Sequence, residues 1–149
     1  MDILTPEKRK ENMQAIHSKD TKPEIYLRKL LFSLGYRYRI CVKNIPGHPD
    51  IYLRKYNTAI FINGCFWHRH RNCKFAYMPK SNIDFWKRKF CDNVERDKKV
   101  REQLIDRKTK QLVIWECSIK KMQKDDNVCQ NTIERIKIFF NSPEQYMEI

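Results

Sequence analysis

The sequence predicts a single α/β domain in which a mixed sheet is flanked by helices. Three observations carry this prediction. Two short apolar runs, at 58–62 and 111–116, are typical of buried strands. Charged segments with helical periodicity precede, separate and follow these runs, and the 149 residues suffice for one domain with a real core. Helices that alternate with strands in this way favour a sheet with helices packed on its faces.

The first predicted elements are two helices. Residues 5–17 form a polar, basic segment with a capping threonine and a proline at its start, which predicts a short helix. Thr21 caps the second helix, with Glu24 at capping-box spacing, and Gly35 ends it. The apolar stripe of the second helix consists of Leu27, Leu30, Leu31 and Leu34.

Strands are predicted next. Apolar and polar residues alternate over 36–42, which predicts a half-buried strand. A turn at 44–49 leads into a strand at 51–53 and then into the more apolar strand at 58–62. Residues 64–81 show no period and hold two of the four histidines and two of the six cysteines.

The C-terminal part is predicted to contain a long charged helix at about 82–106, the second buried strand and a closing helix at 128–140. No repeat or linker divides the chain. The predicted organisation is therefore one domain over 1–149, with an N-terminal helical segment at 1–19 and a C-terminal helical segment at 120–149.

The net charge points to nucleic acid as the partner. Lys and Arg number 31 against 18 Asp and Glu, a net charge of +13, and 12% of the residues are aromatic. A basic surface attracts polyphosphates, and each neutralised phosphate releases condensed counterions. No apolar run approaches the roughly 20 residues that cross a bilayer, and the N-terminus lacks the apolar core of a signal peptide. We expect a cytoplasmic protein without membrane contacts.

Candidate metal ligands concentrate in the aperiodic loop. In a reducing compartment, thiolates bind metal more often than they form disulfides. Cys65, His70 and Cys73 can be gathered by one loop, and Cys117, after the second buried strand, is the best remaining candidate for a fourth zinc ligand. His68 could take the place of His70, and the spacing does not decide between them. The remaining cysteines are expected to be small buried hydrophobes, namely Cys41, Cys91 and Cys129.

Three acidic residues lie where a solvated surface does not explain them. Asp97 falls on the predicted inward face of the long helix, Glu24 is in line with the leucines of the second helix, and Asp50 precedes a strand. With His68 as general base, such acids suit Mg²⁺-assisted phosphodiester hydrolysis. Each acid has a plainer alternative, which is an ion pair for Asp97, a helix cap for Glu24 and a turn for Asp50. The predicted inward face comprises Trp86, Phe90, Val94, Asp97, Arg101 and Leu104.

Aromatic side chains accompany these polar residues. Phe66 and Trp67 lie in the aperiodic loop, where exposure is expected. Aromatic wedges that enter a base step unstack and kink a duplex. Core packing is the alternative, above all for Trp86 on the inward face of its helix, and Trp115 is expected in the core.

Five short motifs resemble the Vsr family, the very-short-patch repair endonucleases. They occur in the order of that family along about residues 5–120, and the third followed by the fourth is the most specific part. The motifs are NMxAI at 12–16, PGxPD at 46–50, GCFWH at 64–68, NVERD at 93–97 and WEC at 115–117.

The resemblance implies a restriction-endonuclease-like fold with a structural zinc. It implies an enzyme that recognises T:G mismatches left by deamination of 5-methylcytosine and nicks the strand 5′ of the mispaired T with the help of Mg²⁺. The implied partner is double-stranded DNA, accompanied by mismatch-repair proteins and a cognate cytosine methyltransferase. The implied setting is a monomeric, nucleoid-associated bacterial protein.

The resemblance also assigns catalytic roles by position. Asp50 matches the acid that holds the catalytic Mg²⁺, and Ile62 occupies the position whose backbone carbonyl shares that metal. His68 matches the general base and Asp97 its partner. Glu24 matches the helix acid near the catalytic centre.

Structural and DNA-contacting roles follow in the same way. Phe66, Trp67 and Trp86 match an aromatic wedge that enters the DNA beside the mismatch. Met13 and Ile16 match residues of an N-terminal helix that contacts the opposite groove. The matched zinc ligands are Cys65, His70, Cys73 and Cys117.

The sequence departs from the family pattern at the zinc loop. Two residues separate His70 from Cys73, one more than in the family pattern, which leaves the ligand set open to rearrangement around His70. Arg69 and Arg71 stand in place of a histidine run and are expected to add phosphate-binding charge. Two hypotheses therefore compete with the mismatch endonuclease: a restriction-type nuclease or nickase without mismatch preference, and a zinc-stabilised DNA-binding module without catalysis.

Overall fold

The structure, a computed structural model, describes residues 20–149. Met13, Ile16 and the helix predicted at 5–17 lie outside the described residues. No helix within 20–149 is long and apolar enough to cross a membrane. The elements are α1 (Lys22–Ser33), β1 (Ile51–Leu53), a 3-10 turn (Arg54–Tyr56), β2 (Thr58–Asn63), α2 (Ile83–Asp106), β3 (Lys110–Trp115), α3 (Glu116–Lys124), α4 (Asp126–Phe140) and β4 (Tyr146–Glu148).

The strands form one mixed sheet in the order β1-β2-β3-β4. β1 pairs with β2 in antiparallel orientation, whereas β2 with β3 and β3 with β4 are parallel. Parallel neighbours need a crossover, which α2 provides between β2 and β3, and α3 with α4 between β3 and β4. The predicted mixed α/β sheet with flanking helices is confirmed.

Helices cover both faces of the sheet. On one face, Ile60 of β2 belongs to the main core cluster with Leu27 of α1 and Ile136 of α4. On the other face, Leu104 of α2 packs in a cluster with Ala59 of β2. Full burial of each such Leu or Ile side chain contributes about 1.5–3 kcal/mol. The two central strands are therefore fixed from both sides, and the loops that leave their C-terminal ends start from rigid positions.

The strand predicted at 36–42 is wrong. In this stretch only Arg39 bridges to another strand residue, Tyr52, and Cys41 has a left-handed φ of 55° that interrupts an extended backbone. Tyr36 instead packs against the main core, with its ring centroid 5.1 Å from that of Phe140. The alternation reflects aromatic packing at the edge of the core rather than strand pairing.

The inward face of α2 is rotated from the predicted one. Val94 and Arg101 are exposed, and Asn93 and Val100 take their places on the inward face. Asn93 is buried, and its side-chain amide donates a hydrogen bond to the carbonyl of Trp67 in the neighbouring loop. An apolar pattern does not reveal such a contact. Asp97 lies on the inward face as predicted, although its side chain is 39% exposed.

The C-terminal segment is helical through α4, as predicted for 128–140, but α4 begins two residues earlier. The prediction missed α3, which follows β3 directly and has no side-chain N-cap to announce it. It also missed β4, a three-residue edge strand, so the segment 120–149 is not helical throughout. Such short elements carry too few residues for a periodic signal.

Candidate active site and metal centre

Asp50 and Ile62 face each other at the open end of the β1–β2 pair. The Asp50 Oδ2 atom accepts a hydrogen bond of 2.7 Å from the backbone N–H of Ile62. Because the N–H and C=O of one strand residue point to the same side, the Ile62 carbonyl is directed toward the same edge. The register pairs Ile51 with Ile60, and its continuation places Pro49 opposite Ile62. Proline has no N–H to donate to that carbonyl. A carboxylate and a carbonyl are oxygen ligands of the kind that Mg²⁺ prefers, so the pair fits such an ion.

The surroundings of Asp50 make ionisation of its carboxyl group unfavourable. The pKa of Asp50 is raised to about 6, chiefly by burial, and the nearby charge of Glu24 acts in the same direction. The Ile62 hydrogen bond and the charges of Arg28 and His68 act in the opposite direction. A carboxylate that is this reluctant to ionise gains strongly from a cation beside it.

Glu24 is buried at the start of α1. Its Oε2 accepts a hydrogen bond of 3.0 Å from the backbone N–H of Asp20 and one of 3.1 Å from Arg28. Thr21 is the N-cap, as predicted, and accepts from the Glu24 N–H. The alternative that Glu24 caps its helix is therefore confirmed, since Glu24 stabilises the start of α1. Its charge also acts on Asp50, which a cap alone does not require.

His68 and Asp97 form a pair across the loop and α2. The Nδ1 atom of His68 lies 2.7 Å from Oδ2 of Asp97, with the two side chains 32% and 39% exposed. A carboxylate on Nδ1 favours the tautomer with its proton there and leaves Nε2 free to accept a proton. This is the arrangement expected of a general base and its partner.

His68 and His70 serve different sites because the backbone turns between them. Arg69 has a left-handed φ of 55°, an uncommon conformation for a non-glycine residue. His68 is thereby directed to Asp97, and His70 to the cysteine cluster. The ambiguity that spacing left open is resolved in favour of His70 as the metal-ligand candidate.

The predicted zinc ligands come together as the candidate metal centre. Their ligand atoms all lie within 4.8 Å of one another, and Sγ of Cys117 is 3.4 Å from Nδ1 of His70. Zn–S bonds of about 2.3 Å and Zn–N bonds of about 2.0 Å in a tetrahedron place S and N about 3.5 Å apart. The donor set therefore fits a zinc ion, and the longer loop does not displace His70. The four residues are Cys65, His70, Cys73 and Cys117.

The protonation of this cluster favours a bound cation. Desolvation lowers the pKa of His70, which favours the neutral imidazole that binds metals. Desolvation, followed by the neighbouring thiols, raises the pKa of Cys65 to about 12. A metal ion offsets this cost, because coordination deprotonates a thiol outright.

Trp115 and β4 support the metal centre from behind. The indole of Trp115 stacks on the imidazole of His70, with ring centroids 4.2 Å apart. Its Nε1 donates to Oε1 of Glu148 at 2.6 Å, and the Tyr146 hydroxyl donates to Oε2 of Glu148 at 2.7 Å. Trp115 is buried as predicted, but its function as a ring support for His70 was not foreseen. Sequence spacing could not reveal this contact, because β4 is too short to be predicted.

The aromatic wedge, defined here as Phe66, Trp67 and Trp86, is a cluster of half-buried rings. Phe66 lies 5.1 Å from Trp67 and 5.4 Å from Trp86, and Trp67 lies 5.9 Å from Trp86. The buried ring of Phe90 supports Phe66 from below at 5.1 Å. The three rings pack on one another, and each of the three residues remains partly exposed.

Arg69 organises the loop that carries the wedge. Its guanidinium donates to the carbonyls of Phe66 and Tyr77 at 3.1 Å and of Ala76 at 2.8 Å, and it lies 3.9 Å above the ring of Phe90. Three of its guanidinium N–H groups are thus bound to main-chain oxygens, and the phosphate contact of Arg69 stays a prediction. Arg71, by contrast, is exposed. The prediction considered only the charge of Arg69. A guanidinium group can also donate hydrogen bonds to several carbonyls at once.

The isolated cysteines only partly follow the prediction. Cys129 is half-buried and touches the Tyr26 hydroxyl at 3.6 Å, whereas Cys41 and Cys91 are exposed. The prediction of buried hydrophobes is wrong for those two, because Cys41 lies in the stretch that is not a strand and Cys91 on the outer face of α2.

Comparisons with known proteins agree with this geometry. Residues 1–74 match the family described as DNA mismatch endonuclease Vsr. A type II nicking enzyme of Neisseria meningitidis serogroup A is 45% identical over 135 residues, which cover 91% of this chain and 93% of that protein. A type II nicking enzyme of Xanthomonas oryzae pv. oryzae is 40% identical over 118 residues, covering 79% and 86%. The DNA mismatch endonuclease Vsr of Escherichia coli K12 is 35% identical over 123 residues, covering 83% and 78%. The chain thus belongs to the Vsr family of DNA endonucleases.

Proposed function

We propose that the protein nicks one strand of duplex DNA 5′ of the T in a T:G mismatch and thereby initiates very-short-patch repair. The observation that carries the proposal is the juxtaposition of three groups around the end of β2. These are the Asp50–Ile62 pair, the His68–Asp97 pair and the aromatic wedge. A metal site, a general base and a device for probing the base stack are what mismatch-directed hydrolysis needs.

Asp50 and the carbonyl of Ile62 are the proposed Mg²⁺ ligands. When bound there, Mg²⁺ supplies charge stabilisation for the scissile phosphate and the leaving oxygen. Glu24 adds a second carboxylate to the electrostatic environment of Asp50, and Arg28 compensates part of the combined negative charge. The charge of Arg28 favours the ionised form of Asp50, whereas the charge of Glu24 disfavours it.

His68 is the proposed general base. Its Nε2 takes a proton from water, whose oxygen forms a bond to phosphorus while the bond from phosphorus to the leaving sugar oxygen breaks, and that oxygen takes a proton from solvent. Asp97 keeps the other proton on Nδ1 and stabilises the imidazolium that forms, across the 2.7 Å contact. One strand is cut because the chain presents one such pair among the described residues.

The aromatic wedge is proposed to confer the mismatch preference. Inserting rings into a base step costs unstacking free energy, which is smaller where the pair is already weakened. Met13 and Ile16, outside the described residues, are proposed to contact the opposite groove. The zinc proposed at the cysteine cluster has a structural function, since its four protein ligands leave no open position.

A second candidate function is nicking without mismatch preference. Two of the three relatives described above are named type II nicking enzymes, names that record strand nicking and no mismatch. The Asp50 and His68 chemistry is the same for both candidates, and only the use of the wedge differs. Mismatch-repair proteins and a cytosine methyltransferase remain predicted partners of the first candidate.

A nicking assay tests the proposal and separates the candidates. Duplexes with one T:G pair in varied flanking sequences are incubated beside matched T:A duplexes, with Mg²⁺ and without it. Nicking 5′ of the T, on the mismatch and only with Mg²⁺, is the expected result. Equal cutting of the T:A duplex would select the second candidate. Binding without cutting in any sequence would leave only a DNA-binding module.

A further inference from the structure

A row of aromatic rings continues beyond the aromatic wedge on both sides. The ring of Tyr77 lies 5.1 Å from Phe66, Phe66 lies 5.4 Å from Trp86, and Trp86 lies 5.3 Å from Phe85. The two outer rings are the exposed ones, with Tyr77 62% and Phe85 59% accessible. The wedge therefore has open aromatic flanks that the catalytic geometry does not use.

The outer rings are held in position rather than left on loose chain. The backbone carbonyl of Tyr77 accepts a hydrogen bond of 3.1 Å from Arg69, which also ties down the wedge loop. Phe85 lies in the first turn of α2, one residue before Trp86, so a rigid helix sets its position. Two large apolar rings that are fixed and exposed next to one functional cluster form a patch of the kind that marks a binding surface.

The charge around the outer rings specifies the occupant. Within residues 74–90, the segment that carries both outer rings, the sequence has five basic residues against one acid, Asp84. Interleaved cations and aromatic rings are typical of surfaces that track a phosphate backbone and stack on bases. An apolar protein partner would not need this density of positive charge. The basic residues are Lys74, Lys80, Lys87, Arg88 and Lys89.

We infer that Tyr77 and Phe85 bind the nucleotides on either side of the step that the aromatic wedge opens. Their rings pack on the bases or sugars that unstacking exposes, while the neighbouring cations contact the phosphates. This inference deepens the proposed function and rests on it for the identity of the DNA. It assigns to these two positions a share of the free energy that holds the distorted duplex.

Affinity measurements on single variants test the inference. Tyr77→Ala and Phe85→Ala are compared with Phe32→Ala, a matched control whose ring is 56% exposed on α1, at the far end of that helix from Glu24. Binding to a labelled T:G duplex is measured by fluorescence anisotropy without added Mg²⁺. A 2-aminopurine next to the mismatch reports unstacking through its fluorescence. Thermal melting of each variant verifies the fold.

We expect each of the two alanine variants to bind the T:G duplex about tenfold more weakly, within the range that base–aromatic contacts contribute. The 2-aminopurine signal at saturation should fall, while Tyr77→Phe and Phe32→Ala should match the unmodified protein. Losses below twofold, or weaker binding with an unchanged 2-aminopurine signal, would overturn the inference. An unmodified protein that binds the duplex but does not nick it would contradict the proposed function instead, and the affinity comparison would still stand.

Discussion

The imidazole of His70 lies nearly parallel to the indole of Trp115, at an interplanar angle of 9° and a centroid distance of 4.2 Å. The indole is itself fixed by Glu148, whose carboxylate accepts from Trp115 and from Tyr146. A candidate metal ligand is thus oriented by a residue 78 positions further along the chain, since Glu148 follows His70 by that number of residues. Partners of this kind, one step removed from the ligands, tune metal affinity.

Glu148→Gln should weaken zinc retention. The substitution keeps the shape of the side chain but removes the charge that strengthens both hydrogen bonds. We expect zinc affinity to fall by about tenfold, the lower end of the range for such partners. Zinc release to a chromogenic chelator measures it. Glu144→Gln, an exposed position in the same segment, is the control, and equal release rates for the two variants would contradict the prediction.

His68→Ala should reduce nicking by roughly 10²- to 10⁴-fold, the usual contribution of a general base. Binding of the T:G duplex should remain within about twofold, because His68 is proposed to act on water. Asp97→Asn should give a smaller loss, since the base remains but loses its charged partner at 2.7 Å. Single-turnover rates provide the measurement, with Glu95→Gln on an exposed position of α2 as the control. An active His68→Ala protein would remove the mechanism.

Asp50→Asn should stabilise the Mg²⁺-free protein while abolishing nicking. The pKa of Asp50 is raised to about 6 from an ordinary 3.8, chiefly by burial. The folded state therefore holds a proton that the unfolded state releases between about pH 4 and 6, and stability falls as pH rises through that window. The asparagine variant has no carboxyl group at this position, so its stability does not fall in this way. We expect it to be about 3 kcal/mol more stable at pH 8 and within about 0.5 kcal/mol of the unmodified protein near pH 4. Urea unfolding at both pH values measures this difference, and an equal gain at both would argue against the ionisation account.

Arg69→Lys should loosen the loop that carries the aromatic wedge. A lysine keeps the charge but cannot reach three carbonyls at once, so about 2 kcal/mol of stability should be lost. Affinity for the T:G duplex should fall several-fold with it, because Phe66 and Tyr77 share the clamp. Arg71→Lys, at an exposed neighbouring position, should change neither quantity. If Arg69→Lys left both quantities unchanged as well, the charge of Arg69 rather than its hydrogen bonds would hold the loop.

The sequence predicted the structure correctly where an uncommon residue type occurs or where an apolar pattern extends over many residues. The four-residue cysteine and histidine cluster and the burial of β2 and β3 followed from residue type and apolar pattern. Asp97 was placed on the correct face of α2 even though Val94 and Arg101 were not. Two of the errors share a physical origin, because they concern polar side chains that donate to main-chain carbonyls, which an apolar pattern does not reveal. Asn93 is buried for the carbonyl of Trp67, and Arg69 turns inward for carbonyls of its own loop.

Short elements could not be read in the same way. β4 is three residues long and gains its order from pairing with β3, a contact that no local pattern announces. The stretch at 36–42 had the right alternation but only one bridged residue. Alternation records which side chains are buried and does not record whether the backbone finds a partner strand.

The single inward face of α2 links two of the proposed tasks by a fixed length. Trp86 of the wedge and Asp97 behind the general base are 11 residues apart, which is about three turns and about 16 Å along a rigid helix. The helix therefore fixes the distance between the residues proposed to probe the duplex and the residues proposed to cut it. The spacing cannot be changed gradually. Inserting one residue would rotate the far end of the helix by about 100°, and not only lengthen the helix slightly. Under the proposed function, inserting or deleting residues between Trp86 and Asp97 should therefore abolish cutting rather than shift the position of the nick.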